Sequence, residues 1–177
     1  IYIKTDGLVY PSTAPIQRNE DIYTFTSDIY EPIVVERDNI IVDGDGHFLA
    51  GTGRPYPEPG WEYRGFTLSG VSNVTIRNVT ITGFLMGLSI GPCVVSRCAG
   101  NHVVINVVAN NGGVGIYVDE DSDFTVIIGN TVMNNQQGLY VTGNSDGCII
   151  HHNNIANNVL QVNHDIVLVN TWDDGME

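Results

Sequence analysis

The stretch NNQQGLYVTGNSDGCIIHHNNIANN, residues 134–158, decides how this chain folds. Asparagine pairs stand at Asn134-Asn135, Asn153-Asn154 and Asn157-Asn158, with short apolar runs between them. Nothing in it has helical spacing; the apolar positions alternate or cluster in threes, as in short strands broken by turns. The same layout recurs upstream. A glycine opens an apolar triplet at Gly87, Gly115 and Gly138, and Gln161 holds the place in the next copy. The intervals are 115−87 = 28, 138−115 = 23 and 161−138 = 23 residues. Ile76, Val103, Ile127 and Ile150 lie eleven or twelve residues before those positions. Gly65 opens an earlier copy, 22 residues before Gly87, and DNIIVDGDGHFL (38–49) is a weaker one.

A unit of about two dozen residues cannot bury its own apolar face and must stack on copies of itself. Short parallel strands stacked at ~4.8 Å per rung make a parallel β-helix, and five to six rungs give a prism ~25–30 Å long. The spacing therefore predicts an all-β solenoid in one domain spanning 1–177. Residues 1–36 fall outside the repeat and read as an N-terminal strand cap, since an open sheet edge needs covering. Residues 37–164 form the rungs, and 165–177 a last strand with an acidic tail.

The asparagines follow from this stacking. Asn106, Asn130 and Asn153 fall at one turn position, and Asn111, Asn135 and Asn158 at another. Asparagine tolerates the left-handed backbone of a tight turn, and its amide can bond the amide one rung above and below. Both sets are predicted to form structural ladders rather than catalytic groups.

Composition narrows the partners. Against 20 acidic residues stand 7 basic ones, a net charge of −13, which opposes binding to nucleic acid or an anionic membrane. No apolar run is long enough to span a bilayer. A chain opening at Ile1 reads as a processed product, with its signal peptide removed. Asn73 and Asn78 begin Asn-x-Thr sequons, which become glycosylation acceptors in a secretory setting. Cys93 and Cys98 share a short loop and are disulfide candidates, leaving Cys148 as a core residue or an intermolecular link.

Three stretches together carry a family resemblance: NVTIRNVTITGFLMGLSI (73–90), the opening stretch, and residues 1–49. They resemble extracellular right-handed parallel β-helix repeat proteins of archaea, which are similar to the NosD-type periplasmic copper-associated family. The resemblance implies a right-handed helix and a location outside the cytoplasm. It also implies copper as a cofactor, which no sequence motif supports: adjacent strand residues face opposite ways, so His151-His152 reads as a poor chelate. About activity it says little, because this fold hosts many functions.

Alternation along the strands turns Val104, Val126, Ile128 and Ile149 outward, an apolar stack that a terminal segment or another subunit would mask, with Cys148 beside it. Outward after the glycines come Thr67, Ser89, Tyr117, Tyr140 and Asn163. Tyr117 and Tyr140, with Trp61 on the inserted loop 51–65, are the glycan-binding candidates. The acidic run Asp119, Glu120, Asp121 and Asp123 is a weak Ca²⁺ candidate. No nucleophile triad, nucleotide loop or dinucleotide fingerprint occurs. The favoured reading is a non-catalytic, self-assembling cell-surface protein of sheath or filament type. A carbohydrate-binding or polysaccharide-cleaving module comes second, and copper handling third.

Overall fold

The computed structural model describes residues 1–53, 63–92, 98–142, 145–164 and 171–172. Three parallel sheets run the length of the stack, and the chain visits them in a fixed cyclic order. One complete coil takes Val126–Ile128 on the second sheet, Thr131–Met133 on the third and Gln137–Val141 on the first. The next takes Ile149–His151, Asn154–Ala156 and Leu160–His164 in the same order. Upstream, His102–Val104, Val107–Ala109 and Val114–Val118 form the preceding coil. Thr75–Arg77, Thr80–Thr82 and Met86–Ile90 form the one before it. The earliest three-stranded coil is Ile41–Asp43, Phe48–Ala50 and Arg64–Leu68. A parallel β-solenoid is therefore the architecture, built from the repeat that the glycines mark.

The coil geometry begins upstream of residue 37. Ile22–Phe25 pairs in parallel with Ile41–Asp43, Ile29 bridges Leu49, and Ile33–Val35 pairs in parallel with Arg64–Leu68. These three contacts trace a partial coil whose sequence lacks the glycine and asparagine marks. The cap proper is two antiparallel strands: Val9–Tyr10 on Tyr2–Ile3 and Ile16–Asn19 on Ile22–Phe25. Each reverses direction at the edge of a sheet and so ends the parallel ladder.

Single core rows explain the apolar periodicity. Tyr23, Val42, Ile76, Val103, Ile127 and Ile150 follow one another in register on the second sheet, all buried. Phe66, Leu88, Ile116 and Leu139 do the same on the first, and Leu49, Ile81, Val108 and Val132 on the third. Burying each such side chain stabilises the fold by about 1.5–3 kcal/mol, and each row shields the next coil.

Candidate functional site

Two corners carry the asparagines, and each pair divides its labour. The first residue turns the corner in the left-handed region: Asn110, Asn134 and Asn157 have φ near 58, 57 and 58°. The second points its amide inward. Asn111 donates from both its main-chain and side-chain nitrogens to Asn135 Oδ1, at 2.9 and 3.1 Å. Asn135 donates likewise to Asn158 Oδ1, at 2.9 and 3.0 Å. At the other corner Asn106 donates to Asn130 and Asn130 to Asn153 in the same two-nitrogen pattern. The ladders begin at main-chain donors, Val79 N–H to Asn106 Oδ1 and Phe84 N–H to Asn111 Oδ1. One of them ends on Gln161, whose Oε1 accepts from both nitrogens of Asn158.

The repeated glycines belong to this machinery. A Cβ on Gly115 would lie 2.7 Å from the Gly138 carbonyl oxygen and 2.9 Å from Asn135 Nδ2. On Gly138 it would meet Gln161 O at 2.5 Å and Asn158 Nδ2 at 2.7 Å. The ladder amide occupies the space of the missing side chain, which ties the glycine period to the asparagine period.

The outer face of the second sheet is apolar where the sequence places it. Val104 sits in register with Ile128, and Val126 with Ile149. The first three are half-buried and Ile149 is 41% exposed. Two further residues that strand alternation does not identify enlarge the patch, because they sit at corners. Ile105, 67% exposed, and Phe124, 60% exposed, flank the strands of this sheet, at φ of 56 and 53°. Left-handed backbone is unfavourable for bulky residues, and most of all for a β-branched one. Each leans over a glycine of the following coil. Ile105 Cγ1 lies 3.5 Å from where a Gly129 Cβ would be, and the Phe124 ring 2.7 Å from that of Gly147.

Charge is sparse on this face. Its two outer rows run Ile22, Ile41, Thr75, His102, Val126, Ile149 and Thr24, Asp43, Arg77, Val104, Ile128, His151. The one carboxylate among them, Asp43, is paired with Arg77 Nε at 2.8 Å. Partial burial opposes ionisation of Asp43, but its hydrogen bonds from Asp45 N–H and Arg77, with the Arg77 charge, hold its carboxyl below the usual range.

Several expected sites are corrected. Cys148 cannot join two chains, because it is fully buried, with its Sγ 3.7 Å from the Ser122 and Ser145 carbonyl oxygens. Burial pushes its thiol up to about 11. The acidic run does not converge on a cation. Asp123 is buried and accepts from Asp146 N–H, Asp119 accepts from Tyr117 O–H and Glu120 N–H, and Asp121 turns a corner at φ 58°. Among the described residues no three His, Cys, Asp or Glu side chains group as metal ligands. His151 and His152 do not face apart: the corner at His152, φ 55°, breaks strand alternation and brings the two Nδ1 atoms within hydrogen-bonding reach.

Tyr117 and Tyr140 are in register on the first sheet, ring centroids 5.5 Å apart and tilted by 51°. Desolvation, then the Asp119 charge, raises the Tyr117 phenol. In the same outer row Thr67 and Ser89 are buried, and their hydroxyl oxygens have no hydrogen-bond partner among the described residues. Asn73 and Asn78 are exposed left-handed corner residues, their amides donating to Asn39 and Asp43. Cys98 is disulfide-bonded. Trp61 and Cys93 lie outside the described residues.

The model of the right-handed β-helix region matches residues 34–173. The chain belongs to the right-handed β-helix family. No curated protein and no solved structure matches it. Within this β-helix no helix among the described residues is long and apolar enough to cross a membrane.

Proposed function

We propose that this β-helix is a non-catalytic structural protein that self-associates through the outer face of its second sheet, outside the cytoplasm. One observation carries the reading: Val104, Val126, Ile128 and Ile149 form a continuous apolar patch, bordered by the exposed corner residues Ile105 and Phe124. Such a patch is unfavourable in water, and a second copy of the same surface removes it at both sides of an isologous contact. Charge supports a second copy as the occupant. On a chain of net −13, these rows carry a single carboxylate, already paired with Arg77, so two copies meet here without opposing acids. The disulfide at Cys98 suits an oxidising compartment. Assembly into a sheath or filament needs a second contact, and this face supplies one of the two.

The test is molecular mass by sedimentation across chain concentration at low and high salt. Association that strengthens with salt, as repulsion between the acidic chains is screened, is the expected result. Replacing Val126 and Ile149 together by Asp is expected to leave a folded monomer. A monomer under every condition for the unaltered chain overturns the proposal.

A second reading rests on Tyr117 and Tyr140. Their paired rings, with Asp119 accepting from both Tyr117 O–H and Thr142 O–H, suit the apolar face and hydroxyls of a sugar. Titration with neutral oligosaccharides, followed by tyrosine fluorescence, distinguishes it: saturable quenching lost on Tyr140→Ala favours a carbohydrate-binding module.

A further inference from the structure

We infer that His151 and His152 form a two-imidazole binding site for a borderline divalent transition metal such as Zn²⁺ or Ni²⁺. In an unbroken strand the two rings would lie on opposite faces of the sheet. Here they do not, and the corner is the reason. Asn78, Ile105, Gly129 and His152 hold φ values of 55, 56, 68 and 55° immediately after the strands of the second sheet. At His152 this turn brings its ring against that of His151, with centroids 4.7 Å apart and planes at 73°. The Nδ1 atoms face each other as hydrogen-bond partners. Both side chains are at the surface, where they can adjust.

The chemistry follows from that meeting of lone pairs. Two imidazole nitrogens can approach only with a proton or a cation between them, since each neutral acceptor repels the other. A metal replaces the shared proton: the donor ring's Nδ1–H bond breaks, its Nε2 takes up a proton from solvent so that the ring stays neutral, and two metal–nitrogen bonds form without net proton release. Metal–nitrogen bonds of about 2.0–2.1 Å at a tetrahedral angle require nitrogens roughly 3.3 Å apart, a small rotation of two surface rings. Nitrogen donors without sulfur suit Zn²⁺ and Ni²⁺. Among the described residues no third His, Cys, Asp or Glu groups with them, and two imidazoles leave the rest of the shell open to further donors. His151 follows Val104 and Ile128 in one outer row, which sets the site beside the apolar patch. The metal site stands whether or not that patch mediates association.

The experiment is calorimetric titration of the EDTA-treated chain with Ni²⁺ and with Zn²⁺ in a non-coordinating buffer. His152→Asn keeps a residue that accepts the left-handed corner, as Asn78 does, while removing one ligand. His151→Thr places a strand-compatible residue in the outer row where Thr24 already stands. Each substitution is expected to weaken binding at least about tenfold with the circular dichroism spectrum unchanged. His102→Gln, on the same sheet but in the other outer row, is expected to leave affinity as it was. A stoichiometry of one metal per chain, or one per two chains, supports the site when it depends on both histidines. Absence of binding at 100-fold metal excess (roughly, over the chain), or full affinity retained by His152→Asn, overturns it.

Discussion

Asn130 Oδ1 accepts both the main-chain and the side-chain N–H of Asn106, at 2.9 and 3.1 Å, from one coil to the next. The same side chain donates to the Val103 carbonyl at 2.8 Å and to Asn153 Oδ1 at 2.9 Å. Asn130 is 1% exposed, so water cannot replace these partners. Asn130→Ala leaves several buried donors and acceptors unpaired and is expected to cost about 2–4 kcal/mol. Gln161→Leu removes only the terminal acceptor of the other ladder, at a partly buried site, and is expected to cost about 1 kcal/mol. Urea unfolding of both variants checks the order, and a smaller loss for Asn130→Ala would refute it.

Gly115 has no positive φ, yet it has no room for a side chain. An alanine methyl there would press on the Gly138 carbonyl oxygen at 2.7 Å and on Val132 Cγ1 at 2.8 Å. Backbone cannot yield as a flexible side chain does, so Gly115→Ala is expected to destabilise by about 2–4 kcal/mol. Gly129, by contrast, needs only its left-handed φ of 68° and has its nearest neighbour at 3.5 Å. Gly129→Asn is expected to change stability by less than about 1 kcal/mol. Equal losses in the two variants would contradict the close-approach account.

The sequence disclosed the coils wherever a side chain had one periodic duty. Gly115 and Gly138 mark ladder contacts, Ile127 and Ile150 mark the core row, and Asn135 and Asn158 mark the corner amides. It concealed what depends on a corner. Alternation assigns Val126 and Ile149 to the outer face, but Ile105, Phe124 and His152 sit where φ turns positive and the period of two no longer applies. A signal was available: each aligns with an Asn or Gly in neighbouring coils, such as Asn78 for Ile105 and Gly147 for Phe124. The partial first coil was hidden for another reason. Ile33–Val35 pairs in register, but with no ladder above it nothing demands the glycine or asparagine that makes a repeat visible.

Ile105 separates stability from association. A β-branched residue at φ 56° is strained, and its side chain is 67% exposed, so little packing compensates. Ile105→Asn relieves the strain and is expected to stabilise the monomer by about 1 kcal/mol. The same change removes an apolar edge from the proposed contact and is expected to weaken self-association. Thermal unfolding and sedimentation on one preparation read the two effects. Stability and association rising together would argue against the second sheet as the contact.

Cys148 sets an alkaline limit. Desolvation by burial is the largest cause that raises its thiol, to about 11, above an ordinary value near 8.5 for the unfolded chain. The folded state thus holds the proton more tightly. The associated stability is fully present below about pH 8.5 and is lost as pH rises toward 11, a change on the order of 3 kcal/mol. Cys148→Ser keeps a donor for the Ser122 and Ser145 carbonyls without a group that titrates in this range. Its urea midpoint is expected to fall less between pH 7 and 10.5 than that of the unaltered chain. Tyr117 titrates in both proteins and cancels in the comparison. Because thiolate is the reactive form, the native thiol is also expected to resist a disulfide reagent at pH 8 until the chain unfolds. Rapid labelling of the folded chain at Cys148 would place this thiol at the surface and restore the intermolecular link that its burial excludes.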